Sequence, residues 1–370
     1  MYAMGLIWIG ILFSAIGSST DSIFDQRFHF ADEKFFYPPQ QNDIRYPTCD
    51  MSSNGIQEFD DSASLADYAF LAGLPYKTDE IIKDDLAFFK NSDYNITYDP
   101  EFVEAYRIEN DYDNAAVKFD LYRIQHFDDG KESAIVSIRG THTSYDLLAD
   151  LQLWSAAMLM QVVRAVLPLG GIWTPVFDEL IFAISKFQSS SLEQISFYIV
   201  TTAFVNDIKE QGIFDSVQLT GHSLGGGLAI ISGAQSKTPA VALSGPNAKM
   251  SGKTFKPQVV EKDLNRYTFN IIPNRDPVPR FDDVADNFQN IRCNADANNF
   301  PGCHDSTRSL CEIMYTCGSD NRPVPCECVD LYGFEEPISL SPFNGEGRDT
   351  FREECDYLYS LDDENEEANE

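Results

Sequence analysis

The chain has 370 residues, 43% of them apolar, which is enough for one large buried core and argues against wholesale disorder. Its 58 acidic against 27 basic residues leave a net charge of −31, which excludes nucleic acid as a partner, because binding phosphates needs clustered lysine and arginine. The same charge excludes electrostatic attachment to anionic lipid, so contact with a lipid surface would have to be hydrophobic.

Residues 1–19 read as a secretory signal peptide. An apolar stretch runs from Met4 to Ile16, and Ala15 and Gly17 frame a cleavage site, although no basic residue precedes them. An uncleaved anchor is the alternative reading. Residues 20–60 are polar and aromatic without periodicity and form an irregular arm. The body of the protein is expected over 61–335. It opens with "SLADYAFLAGL" (64–74), apolar at helical spacing behind a serine suited to capping. Asn95-Ile96-Thr97 is a glycosylation acceptor. "KFDLYRIQHF" (118–127) and "SAIVSIRGT" (133–141) read as strands, the second ending in a turn.

Residues 142–190 form an insertion, most of it the apolar stretch 154–187. Arg164, Pro168, Gly170, Gly171, Asp178 and Glu179 interrupt that stretch, so it is not a membrane span. Two amphipathic helices about a Pro168–Gly171 hinge describe it better, either as plain core helices or as an enlarged lid that walls off an acyl chain. After it, "SVQLT" (216–220) reads as a strand and "LGGGLAIISGAQ" (224–235) as a helix of small residues. "AVALSG" (240–245) and "RYTFNIIP" (266–273) are further strands. Strands alternating with helices predict an α/β domain with a mostly parallel central sheet flanked by helices.

Eight cysteines, seven of them between Cys293 and Cys355, match no zinc spacing and read as disulfides whose pairing the sequence leaves open. With the signal and the sequon they indicate a secreted protein or one of a lysosomal or vacuolar lumen. Residues 336–370, ending in "LDDENEEANE", read as a largely disordered acidic tail.

Ser223 stands in a Gly-x-Ser-x-Gly frame between a strand and a helix. A turn that tight requires small neighbours, and Gly221 and Gly225 provide them, with Gly226 beyond. The Leu224 amide then opens the helix, where it can donate to a developing oxyanion. A nucleophile elbow of this kind is followed in the chain by an acid and then a histidine. Asp276 directly follows the strand ending at Pro273, with Asp283 and Asp286 as nearby rivals. Of five histidines only His304 comes later, flanked by Cys303 and Cys311. The second oxyanion donor belongs to the loop after an earlier strand, where Arg139-Gly140-Thr141 points to the Thr141 amide. His142 precedes the serine and is read as shaping that loop.

"SIRGTHTSYDLLADL", "LTGHSLGGGLA", "IIPNRDPVPR" and "CHDSTRSLC", in this order, resemble the successive blocks of the class 3 (fungal-type) lipases, and "SLADYAFLAGL" is similar to their N-terminal helix. The resemblance spans about residues 60–320. It implies an α/β-hydrolase fold, a Ser223–Asp276–His304 triad, and an oxyanion hole from the Thr141 and Leu224 amides. It further implies hydrolysis of lipid esters at a lipid–water interface, triacylglycerol foremost, with neither cofactor nor metal. A phospholipase A1 or another esterase of the same mechanism, and a non-catalytic lipid-binding protein, are the alternatives. The long insertion and the cysteine-rich segment depart from the family pattern. Oligomeric state stays open.

Overall fold

The computed structural model describes residues 49, 63–89, 94–110, 119–140, 154, 157, 197–296, 300–318, 322–337, 351–353 and 355–357. The expected signal peptide, nearly all of the arm, Thr141, His142 and the expected lid apart from Trp154 and Ala157 lie outside these residues.

Among the described residues seven strands form one sheet whose spatial order follows the chain: β1 (Tyr94–Tyr98), β2 (Phe119–His126), β3 (Glu132–Ile138), β4 (Ser216–His222), β5 (Ala240–Leu243), β6 (Thr268–Pro273) and β7 (Phe288–Ile291). β1, β2 and β3 pair antiparallel, and β3 to β7 pair parallel. Every residue of β5, β6 and β7 is buried, as expected for parallel strands covered on both faces. β1, at the sheet edge, instead alternates between half-buried and exposed residues. The strands read from sequence correspond to β2 through β6, except that Arg266 and Tyr267 end a helix rather than begin β6. β1 and β7 were not anticipated. Both are short, five and four residues, and their pairing with β2 and β6 makes them strands.

The helices are α1 (Leu65–Gly73), α2 (Asp79–Phe88), α3 (Pro100–Glu109), α4 (Phe197–Gln211), α5 (Leu224–Ser236), α6 (Glu261–Tyr267), α7 (Phe300–Cys303), α8 (Ser306–Cys317) and α9 (Cys326–Asp330). They divide the apolar residues into two cores, one on each face of the sheet. Val136, Leu219 and Ala242 pack with Phe204, Ile208, Leu228 and Ile231 of α4 and α5. Their chain neighbours Ile135, Val241 and Leu243 pack on the opposite face with Leu65, Tyr68 and Leu71 of α1 and Leu310 of α8. The two-residue period of the strands makes this division. The result is an α/β fold, a mixed, mostly parallel sheet covered by helices on both faces.

α1 begins at a capping box. Ser64 accepts from the Asp67 amide, and the Asp67 carboxylate accepts from the Ser64 amide at 2.9 Å. Asp67 is fully buried because it also takes a hydrogen bond from the Tyr94 hydroxyl and an ion pair from Arg322 at 2.7 Å. Arg322, itself 2% exposed, thereby pins the segment after α8 to the start of α1. A disulfide from Cys49 to Cys317 ties the same regions covalently. At the far end Cys326 bonds to Cys355 and Phe351 is buried against both, so part of the acidic segment 336–370 is attached to the body.

A buried carboxylate stripped of its cation is strongly destabilising. Arg322→Ala is therefore expected to cost about 3–5 kcal/mol, read as a fall in the urea midpoint at unchanged slope. An unaltered midpoint would show that the hydroxyl and amide donors around Asp67 are sufficient alone.

Candidate active site

At the end of β4 the chain turns into α5 through one residue, Ser223. Its φ of 59° and ψ of −128° are strained for an L-residue. Two backbone bonds hold it there: the Ser223 amide donates to Leu243 O at 3.0 Å, and the Gly227 amide donates to Ser223 O at 3.1 Å. The neighbouring glycines are required by space. A Cβ on Gly221 would lie 2.6 Å from the Gly225 carbonyl, and one on Gly225 would run into the Ile138 carbonyl oxygen. Strand and helix thus meet backbone against backbone. Leu224 is the first residue of α5, and its amide is one of those that a helix start leaves without an intrahelical carbonyl.

His304 follows α7 and stands two residues before α8. Its Nε2 lies 2.8 Å from Ser223 Oγ and its Nδ1 lies 2.9 Å from Asp276 Oδ2. Because a carboxylate only accepts, Nδ1 carries the proton and Nε2 is free to accept from the serine hydroxyl. Asp276 is fully buried, and its second oxygen accepts from the Val278 amide at 2.9 Å. Burial pulls the His304 imidazole down, but the charge and hydrogen bond of Asp276, with the charge of Asp305, outweigh it and leave the ring raised above 6.5. Of the three aspartates weighed from sequence, Asp276 reaches the histidine. Asp286 instead bonds Asn265 at 2.6 Å and pairs with Lys249 at 3.4 Å, while Asp283 is next to Asp282, a buried carboxylate that accepts from the Met250 and Ser251 amides.

His222 was not assigned a role from the sequence. It is buried under His304, with ring centroids 4.8 Å apart, and its Nε2 donates to the His304 carbonyl at 2.7 Å. The Tyr76 hydroxyl stands 3.3 Å from its Nδ1 and 3.2 Å from its carbonyl oxygen. Burial, then the nearby His304, push the His222 ring down to about 3, so it stays neutral beside His304. Tyr76 also bonds the Gly140 backbone, one residue before Thr141. The only sequence signal for His222 was its place next to an elbow serine, where a side chain has to turn inward.

Asn95 is exposed on the edge strand β1, two residues from the exposed Thr97. Among the described residues no three His, Cys, Asp or Glu side chains come together as metal ligands. The cysteines form four disulfides: Cys49–Cys317, Cys293–Cys303, Cys311–Cys328 and Cys326–Cys355. Cys303 and Cys311, which flank His304, are thus each bonded to a different part of the chain. Among the described residues no helix is long and apolar enough to cross a membrane.

The two histidines are expected to separate in an NMR titration, with His304 changing at a pH above 6.5 and His222 holding one neutral signal to about pH 3. The stability that neutral His222 confers is full above 6.5 and is lost as the pH falls toward 3, whereas protonated His304 stabilises below 6.5 and ceases to as the pH rises through its raised value. Two superimposable titrations near 6.5 would contradict this assignment.

Residues 135–284 match the family model described as Lipase (class 3). No curated protein matches the chain in sequence. Two solved structures are similar in part. The M37 lipase is 16% identical, with 57% of this chain and 66% of that chain covered at a TM-score of 0.29. A lipase from Rhizopus microsporus var. chinensis is 13% identical, with 66% of this chain and 75% of that chain covered at a TM-score of 0.27. The chain thus spans just under two thirds of the first of them. The matched residues, which carry most of β3, all of β4 to β6, the elbow serine and Asp276, are what this chain shares with the class 3 lipase family.

Proposed function

We propose that the protein hydrolyses carboxylic esters of lipids, triacylglycerol foremost, through an acyl-enzyme on Ser223. The single observation that carries this reading is the unbroken line Asp276–His304–Ser223, at 2.9 and 2.8 Å, ending on a serine held in a strained elbow. His304 takes the hydroxyl proton as Ser223 attacks the ester carbonyl, and Asp276 fixes the imidazole tautomer and stabilises its charge. The Leu224 amide, with that of Thr141, holds the tetrahedral oxyanion. His304 returns the proton to the departing alcohol and then activates the water that releases the fatty acid. Every group this chemistry requires is a side chain or amide of the protein, so the proposal includes neither metal nor cofactor.

The family match favours a lipid ester over a small soluble one, and the apolar sequence 154–187 suits long acyl chains. Four disulfides favour an oxidising destination, the extracellular medium or a lysosomal or vacuolar lumen. Export would also expose Asn95 to glycosylation.

A fluorophosphonate probe is expected to label wild-type protein on the peptide carrying Ser223 and to leave Ser223→Ala unlabelled. Hydrolysis by that variant should fall at least about a thousandfold, and Asp276→Asn, which leaves the tautomer wrong, should lower kcat about ten-thousandfold. Undiminished hydrolysis by pure Ser223→Ala would falsify the mechanism, and a wild type inert to the probe with lipid present would favour a lipid-binding protein. Initial rates on long-chain triacylglycerol, phosphatidylcholine and a short nitrophenyl ester should rank in that order, and a reversal of the first two would make it a phospholipase. For Asn95, endoglycosidase treatment of protein from a eukaryotic secretory host is expected to shift its mobility, with no shift for Asn95→Gln.

A further inference from the structure

Asp276 and His304 belong to different loops, and nothing in their sequence separation brings them within 2.9 Å. The residue before the aspartate, Arg275, is in the left-handed region at φ 69°, where glycine or asparagine would be less strained. Its backbone turns Asp276 inward while its side chain runs to a third loop, the one after β7. There the guanidinium donates to three carbonyls: Cys293 O at 3.1 Å, Ala295 O at 2.6 Å and Asp296 O at 3.1 Å. A planar fork of fixed donors suits that task, because it reads several acceptors in one orientation. Cys293 is in turn bonded to Cys303, the residue directly before the histidine.

We propose that Arg275 and the Cys293–Cys303 disulfide form one brace that sets the distance between the acid and the base, with Arg275 as a positioning residue. The inference rests on the triad reading above. The acid's chain neighbour grips the 293–296 loop, and that loop is covalently joined to the base's chain neighbour. On its other side the base is steadied by Asp305, which caps α8 by accepting from the Arg308 amide at 2.8 Å and takes a hydrogen bond from the Tyr332 hydroxyl at 2.8 Å. Asn294 closes this half. It donates to Tyr332 O at 2.7 Å and accepts from Arg308 at 2.7 Å. Loosening the Arg275 half leaves Asp305 in place but lets Asp276 draw away from the ring.

The test is Arg275→Gly, which suits the left-handed backbone and removes only the side chain. We expect a modest fall in Tm, because relief of the left-handed strain offsets only part of the three lost hydrogen bonds, with an unchanged KM and a kcat about ten- to a hundredfold lower, the range for a small misplacement of a catalytic group. The acid limb of the pH–rate profile should also move to lower pH. The charges facing His304 are those of Asp276 and Asp305, His222 on its ring is neutral, and a more distant Asp276 raises the imidazole less. The double variant Cys293→Ser with Cys303→Ser should reproduce both changes, and the triple variant should lose little more than either, because both act on one connection. Should the glycine variant not fold, Arg275→Lys, which keeps the charge without the fork, is expected to show a smaller loss with the same direction of pH shift.

Folded variants with wild-type kcat and pH profile, or losses that multiply in the triple variant, overturn the brace while fluorophosphonate labelling of Ser223 still supports the triad. A wild-type protein that the probe does not label overturns the triad reading and the brace with it.

Discussion

The close approach of backbone to backbone where β4 turns into α5 is the constraint on which the rest depends. Ile138 of β3 presents its carbonyl at the spot a side chain on Gly225 would occupy, and Gly221 meets the Gly225 carbonyl from the other side. Gly245, beyond β5, meets Gly226 in the same way, with its Cβ position 2.6 Å from the Gly226 carbonyl carbon. With no side chains between them, three parallel strands and the helix lock together, and the one residue left at the bend carries the strain. A serine held at φ 59° has a side chain that cannot fold back on its own helix. It is presented to whatever stands over the C-terminal edge of the sheet, where open α/β sheets gather their functional groups.

What stands there comes from a part of the chain built on different principles. The sheet is held by apolar burial on two faces, whereas the segment carrying His304 is held by disulfides, helix caps and hydrogen bonds to carbonyls. A histidine on a loop is costly to keep in one pose, because each ordered residue gives up conformational freedom. Cross-links on both flanks, Cys293–Cys303 and Cys311–Cys328, reduce what has to be given up. The fully buried Asp276 imposes the opposite requirement: a carboxylate away from water has to keep its partners close, and the Val278 amide and the His304 ring are those partners.

The electrostatics follow the same separation of roles. Two imidazoles lie 4.8 Å apart, and a charge on both would oppose itself at close range. Complete burial keeps His222 neutral, and the two acidic neighbours make His304 the ring that takes the proton. His222 can then act as a fixed donor to the His304 backbone. Its Tyr76 partner extends the contact to Gly140, so the end of β3, the elbow and the base loop share one hydrogen-bonded floor.

The sequence by itself was sufficient for everything that depends on local pattern and chain order. The alternation of strand and helix gave the α/β class, the glycines around Ser223 marked the elbow, and the order serine, aspartate, histidine left Asp276 and His304 as the residues to examine. Ser64 announced the start of α1 because a cap is made on the turn that directly follows it, while the part of Asp67 in that cap came from the structure. Tertiary structure alone decided what depends on encounters between distant segments. β1 and β7 are only five and four residues long, too short to stand out in the sequence, and a neighbouring strand edge supplies their hydrogen bonds. Asp276 was already favoured over Asp283 and Asp286 because it directly follows β6, and the structure added its 2.9 Å contact with His304. The cysteine pairing, the buried Arg322–Asp67 pair and the grip of Arg275 on a loop 18 to 21 residues away join positions that no periodicity connects. Local propensity is written residue by residue, but a contact between two loops exists only once the sheet has fixed the distance between them.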